Sequence, residues 1–368
     1  MSPRWDAPAP EAGPASRPNA AGLTRAALGD LVASLGEPAW RGKQLFTGLL
    51  RQRWTRWEAF SNLSKPLRAR MKAEVDLLWP TIVQSQTSAD GSTKHLFELG
   101  DGRQVEGVHM PYEDRVTLCL SSQVGCAMGC TFCATGQMGI LRNLSAAEIV
   151  GQVVAMLNHH GHPAEHPINL VFMGMGEPLH NLDHLMTAFE VLTDPEGLAI
   201  PPRRITVSTS GLVSGIDRLA SYPRRPRLAL SLNATTDEHR SRIMPVNRVW
   251  NLEALAEALG RFPLQSGERI TLEYVLLKGV TDSLDDGRRL AAYARRFPSK
   301  VNLIPFNAHE GSGFLAPDEA RIRALCGLLA DAGITVSVRR SRGQDVAGAC
   351  GQLVRPKSPQ RAPSGEED

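Results

Sequence analysis

Seven short runs rich in apolar and β-branched residues recur between residues 117 and 339, and helix-like stretches separate them. The runs are TLCLSS (117–122), NLVFMG (169–174), ITVSTS (205–210), LALSLN (228–233), TLEYVLL (271–277), VNLIPF (301–306) and ITVSVR (334–339). Amphipathic segments fill the gaps, among them SAAEIVGQVVAML, where Ser145 and Glu148 have the spacing of a capping box. Strands that alternate with helices predict an α/β fold, a parallel sheet with helices packed outside it. If that sheet curves into a barrel, the C-terminal ends of its strands form the mouth where sites are built. The chemically suggestive residues collect at that edge. A cysteine-rich loop follows the first run, Gly176 and Glu177 follow the second, and Ser208, then Ser231, Leu232 and Asn233, close the third and fourth; Asn307 ends the sixth.

The loop CLSSQVGCAMGCTFCATGQMG holds Cys119, Cys126, Cys130 and Cys133, four of the six cysteines in the chain. Nothing suggests export: no run approaches 18 apolar residues, and the N-terminus lacks the apolar segment of a secretory signal. The expectation is a cytoplasmic protein with no membrane association and reduced thiols, so a disulfide framework does not explain the cluster. Structural zinc would want four ligands, and Cys119, the available fourth, lies inside an apparent strand. Three thiolates from C-x3-C-x2-C suit a [4Fe–4S] cluster with one iron left open.

Before the alternating core, residues 24–75 read as three short helices, and residues 25–75 carry ten Lys or Arg against four acids, although the whole chain is only +3. That balance points to a polyanionic partner, with a solvated basic face as the plain alternative. Trp40, Trp54 and Trp57 interleave with the arginines and are expected in the core. The proline-rich residues 1–22 and the tail cannot offset their ordering entropy and are expected to be disordered. The organisation predicted is a disordered 1–22, a basic helical accessory domain at 23–80, a linking β region at 81–111, a core at 112–345, and a C-terminal segment at 346–368. NHHGHPAEH (158–166), with Gly and Pro between two regular elements, reads as a solvated loop rather than a metal site. Cys326, on an apolar helical face, reads as core.

C-x3-C-x2-C after the first strand of a repeating β/α core, followed by MGMGEP after the second, resembles the radical S-adenosylmethionine (SAM) superfamily. With VSTSG, NLIPFN and RGQDVAGACGQL added, the similarity extends from about Thr24 nearly to the tail and resembles the bacterial radical SAM RNA methyltransferases of the RlmN type. The resemblance implies a partial (β/α)6 barrel with a helical accessory domain and a C-terminal extension. It implies a [4Fe–4S] cluster on Cys126, Cys130 and Cys133, and two molecules of SAM per turnover. Gly176, Glu177, Ser208, Ser231, Leu232, Asn233 and Asn307 would contact the cofactor. Asn233 departs from the histidine frequent in the family.

The same resemblance implies methylation of C2 of adenine in 23S ribosomal RNA and in transfer RNA. C2 is electron-poor and the methyl of SAM is an electrophile, so polar transfer has no nucleophile and a radical route is needed. Cys350 would carry the methyl group, Cys119 would release the product through a transient disulfide, and Glu106 would accept the C2 proton. An electron donor and a thiol reductant are then implied partners. Methylation at C8 shares the cysteine set, and a non-catalytic metal-containing nucleic-acid-binding protein is the reading from another class.

Overall fold

In the computed structural model, residues 9–11, 17–163, 166–309 and 311–354 are described. Three helices come first: α1 (Arg25–Ser34), α2 (Arg41–Leu50) and α3 (Lys65–Glu74). Thr24 and Ser64 cap α1 and α3 by accepting from backbone amides three residues on. Gly42 sits so close to Gly29 that a Cβ on it would lie 2.4 Å from the Gly29 nitrogen, which lets α1 and α2 touch backbone to backbone. Trp57 is buried and Trp54 packs edge-on against Phe60, as expected of core aromatics, but Trp40 is 60% exposed with the Arg41 guanidinium over its ring.

The sheet begins with β1 (Thr81–Thr87), β2 (Thr93–Glu98), β3 (Gln104–Pro111) and β4 (Val116–Cys119). A hairpin follows, β5 (Gln123–Cys126) with β6 (Gly139–Asn143), and then α4 (Ala146–His159), β7 (Ile168–Phe172), α5 (Leu182–Thr193), β8 (Ile205–Thr209), α6 (Val213–Ala220) and β9 (Arg227–Ser231). The chain continues through α7 (Asp237–Ile243), α8 (Leu252–Arg261), β10 (Ile270–Leu276), α9 (Leu284–Ala294), β11 (Ser299–Pro305), α10 (Glu319–Asp331) and β12 (Val336–Val338). Ten strands form one sheet in the order β1-β2-β3-β4-β7-β8-β9-β10-β11-β12. Within this sheet every pairing from β4 onward is parallel, which makes it an α/β core with helices outside.

Two expected boundaries differ from what is observed. Residues 81–111 are not a link between domains: β1, β2 and β3 pair antiparallel and continue the core sheet, with Val108 opposite Cys119. An amphipathic pattern with one buried face is satisfied as well by joining an existing sheet as by forming a separate one. Nor are residues 17–22 loose. Ala20 and Ala21 are buried, the Ala20 amide donates to the Asp76 carbonyl, and Arg17 pairs with Asp76 at 2.7 Å. Residues 9–11 also touch the core, since the Asn143 amide donates to the Pro10 carbonyl. The expectation of disorder at 1–8, 12–16 and 355–368 lies outside the described residues.

Candidate functional site

The loop after β4 turns back as the β5–β6 hairpin, which fixes the cysteines. Gly125 (φ +80°) makes the bulge there, and a Cβ on it would meet the Gly139 carbonyl oxygen at 2.0 Å. Cys126 ends β5; Cys130 and Cys133 follow in a loop held by the Thr131 amide on the Ile243 carbonyl and the Ala134 amide on the Gly351 carbonyl. That last bond, with Thr135 Oγ1 donating to the Leu353 carbonyl at 2.6 Å, brings the far C-terminus onto the cysteine loop.

One cavity, enclosing about 1010 Å³ with its mouth included, is lined by Cys126, Cys130, Cys133, Gly176, Glu177, Ser208, Ser231, Asn233, Asn307 and Cys350. Burial pushes the thiols of Cys126, Cys130 and Cys133 above their ordinary range. Three buried thiols facing one space need a cation to become thiolates. A structural zinc takes four protein ligands, and the fourth cysteine of the stretch, Cys119, is outside the lining of this cavity. Three cysteines facing one cavity fit a [4Fe–4S] cluster with one iron left open.

The strand ends supply polar groups around this space. Gly176 (φ +103°) is left-handed, and a Cβ would lie 2.6 Å from that of Gln123. The Glu177 carboxylate is buried and accepts from the Leu179 amide and from both the amide and hydroxyl of Ser210, so it ties the end of β7 to that of β8. Burial raises its pKa in spite of those donors. Ser208 and Ser231 face each other with hydroxyl oxygens 3.3 Å apart. Asn233 also has a positive φ of 58°, a conformation in which Asn and His are both enriched, which accounts for either residue standing there. Its Oδ1 accepts from the Val275 amide at 2.9 Å. Asn307 donates to the Cys350 carbonyl at 3.0 Å and to Ser341, holding the C-terminal segment across the mouth.

Leu232 does not reach the cavity. Its side chain is fully buried, its amide donates to the Glu273 carbonyl and its carbonyl accepts from Arg240, so neither side chain nor backbone faces a ligand. Glu106 lies beside the lining rather than in it: Lys94 Nζ is 3.0 Å from one carboxylate oxygen and the Val354 amide donates to the other at 2.9 Å. Burial raises its pKa, with Lys94 opposing. Cys119 and Cys350 share a second, smaller cavity with Met173 and Arg339. Burial pushes the Cys119 thiol up to about 12, and the neighbouring Cys350 adds to the shift.

Sequence reasoning missed three positioning residues. Arg339 lines the smaller cavity with both cysteines, and its attraction to Cys350 in the thiolate form, then to Glu273 3.7 Å away, favours the charged guanidinium. Arg240 is completely buried and donates to the carbonyls of Ser210, Ser231 and Leu232, pinning the ends of β8 and β9. Gln123 accepts from the Glu177 amide. No motif announces Arg240, whereas Arg339 stands next to the RGQDVAGAC stretch that already carried Cys350. Cys326 is half-buried against the core, not deep within it.

Residues 120–290 match the family described as the radical SAM superfamily, and residues 18–77 match the ribosomal RNA large subunit methyltransferase N-terminal domain. The chain is 46% identical over 354 residues to the dual-specificity RNA methyltransferase RlmN 2 of Myxococcus xanthus, covering 94% of this chain and 93% of that one. It is 48% identical to the dual-specificity RNA methyltransferase RlmN of Geotalea uraniireducens, covering 88% and 92%. A crystal structure of a radical SAM methyltransferase from Sphaerobacter thermophilus superposes with a TM-score of 0.87 at 42% identity, covering 91% of this chain and 99% of that one. A β/α core with its cysteine loop at the strand ends, an N-terminal helical module and near-full-length similarity at this level place the chain in the RlmN family of radical SAM methyltransferases.

Proposed function

We propose that this protein is an RNA methyltransferase that places a methyl group on C2 of a specific adenine in 23S ribosomal RNA and of the adenine beside the anticodon in transfer RNA. The observation that carries the reading is a single cavity lined both by Cys126, Cys130 and Cys133 and by Cys350, which lies more than two hundred residues further along the chain. Cys126, Cys130 and Cys133 would hold a [4Fe–4S] cluster, and Gly176, Ser208, Ser231, Asn233 and Asn307 would surround SAM. When bound, the cluster supplies the electron that opens SAM to radical chemistry.

The chain's own residues supply the rest. Cys350, as thiolate, takes a methyl group from one SAM by displacement at carbon; the sulfonium sulfur takes the bonding pair and leaves as the neutral thioether S-adenosylhomocysteine. To join C2 of the base, that carbon loses a hydrogen atom, which a second SAM opened by one electron would carry off as 5′-deoxyadenosine, and the adduct's surplus electron would return to the cluster; the RNA is then tethered through the Cys350 sulfur. Cys119 attacks that sulfur, which forms a disulfide and gives the bonding pair to the methylene carbon, which takes up a proton to become the methyl group. Glu106 accepts the proton that C2 loses, and Arg339 stabilises thiolate charge at both cysteines. A thiol reductant restores the pair, and a separate electron donor serves the cluster. The target base has to leave its stack to enter so enclosed a cavity. Anaerobic reconstitution with SAM, a reductant and RNA fragments, followed by mass spectrometry of the digested RNA, tests this. Wild type gives 2-methyladenosine and Cys350→Ala gives none; a methyl on C8, or product from Cys350→Ala, contradicts the reading.

A further inference from the structure

The histidines of residues 158–166 are not a solvated loop. They join two strand histidines in a packed array: His95 Nε2 lies 2.9 Å from His160 Nε2, His109 Nε2 lies 2.7 Å from His162 Nε2, and the His109 and His160 rings stack at 3.6 Å. We propose that His95, His159 and His160 form a transition-metal site, for Zn²⁺ in the first instance, separate from the cysteine cavity.

Three observations carry it. One ring nitrogen from each of the three lies within 4.8 Å of the others, and tetrahedral zinc with bonds of about 2.0–2.1 Å spaces its ligand nitrogens about 3.3 Å apart. His95 is fully buried and its other nitrogen lies 2.8 Å from Ser85 Oγ, the outer-shell partner that sets ring orientation and tautomer in metal-bound histidine. His109, which stacks on His160, keeps a buried Nδ1 without a hydrogen-bond partner, so the array is not closed by its own bonds. His159 is exposed, which gives an ion a way in and leaves room for water as a fourth ligand.

The site lies on the other face of the sheet from the chemistry. Along β2 and β3, Lys94 and Glu106 meet across one face, while His95 and His109 alternate onto the opposite one, against the end of α4. The adjoining loop is bound to the helical module, since Arg53 donates to the His162 carbonyl and Asn158 to the Arg53 carbonyl. A bound ion would therefore join β2 to α4 where the helical module docks.

Untagged full-length protein with its iron–sulfur cluster reconstituted is equilibrated with Zn²⁺, freed of excess metal, and assayed for zinc and iron. Wild type should retain one zinc per chain beyond the cluster iron and unfold at a higher temperature with zinc than without. His159→Gln, at an exposed position that leaves the core intact, and His160→Gln should lose that zinc with iron unchanged; Cys126→Ala should keep it. No zinc on wild type, or wild-type zinc in both histidine variants, overturns the proposal.

Discussion

In the proposed mechanism Cys119 attacks as a thiolate, from a buried place that penalises charge. Burial drives Cys119 up to about 12, and Arg339, lying against both sulfurs, is the neighbouring cation that opposes it. A group with so high a pKa is almost wholly protonated at neutral pH, so its thiolate fraction rises about tenfold per pH unit. The release step should accelerate accordingly between about pH 7 and pH 9; this is read as the decay rate of the RNA–protein adduct after rapid mixing, and a flat profile would remove Cys119 as the attacking group. At this scale the sequence exposed the cysteines well, because C-x3-C-x2-C is a pattern along the chain itself. Arg240 and Gln123 were invisible: an arginine that bonds three backbone carbonyls leaves no pattern along the chain. Leu232, expected among the cofactor contacts, is buried just past the end of β9 while Ser231 and Asn233 on either side of it line the cavity.

The elements explain how a residue near the C-terminus reaches the cysteine loop. The β1–β2 turn clasps the segment leading to Cys350: Ser88 and the Ala89 amide donate to Asp345, and the Gly343 amide donates to Asp90. Gly343 and Ala347 both have positive φ, and Asn307 holds the Cys350 carbonyl from the end of β11. Asp345→Ala removes two acceptor contacts outside the cavity, so it should lower methylation about tenfold while iron content and unfolding temperature stay close to wild type; equal loss of iron would mean the segment does not act independently. All seven strands of the parallel series were legible from their apolar runs, and Ser145 does cap α4 with Glu148 in a capping box. The role of β1–β3 was not legible, since pairing partners are set by tertiary register rather than by local pattern.

At the scale of the whole molecule, the basic helical module divides its charges between two tasks. Arg25 pairs with Asp194 and Lys43 with Glu196, so these two dock the module on the core. Arg224 and Arg225 near the barrel likewise donate to backbone carbonyls. Arg51, Arg56 and Lys65 are exposed and make no ion pair among the described residues, which makes them the candidates for meeting phosphates. Reversing each to Glu should weaken RNA binding and reduce the salt slope by about one per site, with SAM cleavage in the absence of RNA unaffected; an unchanged slope would assign these charges to solvent. The central claim is that the methyl carbon passes through the Cys350 sulfur and that Cys119 frees it. Reconstituted Cys119→Ala, incubated anaerobically with SAM, reductant and an RNA fragment and then proteolysed for peptide mapping by mass spectrometry, tests it most directly. The account predicts RNA attached through one carbon to the peptide bearing Cys350; free methylated RNA with an unmodified Cys350 would contradict it.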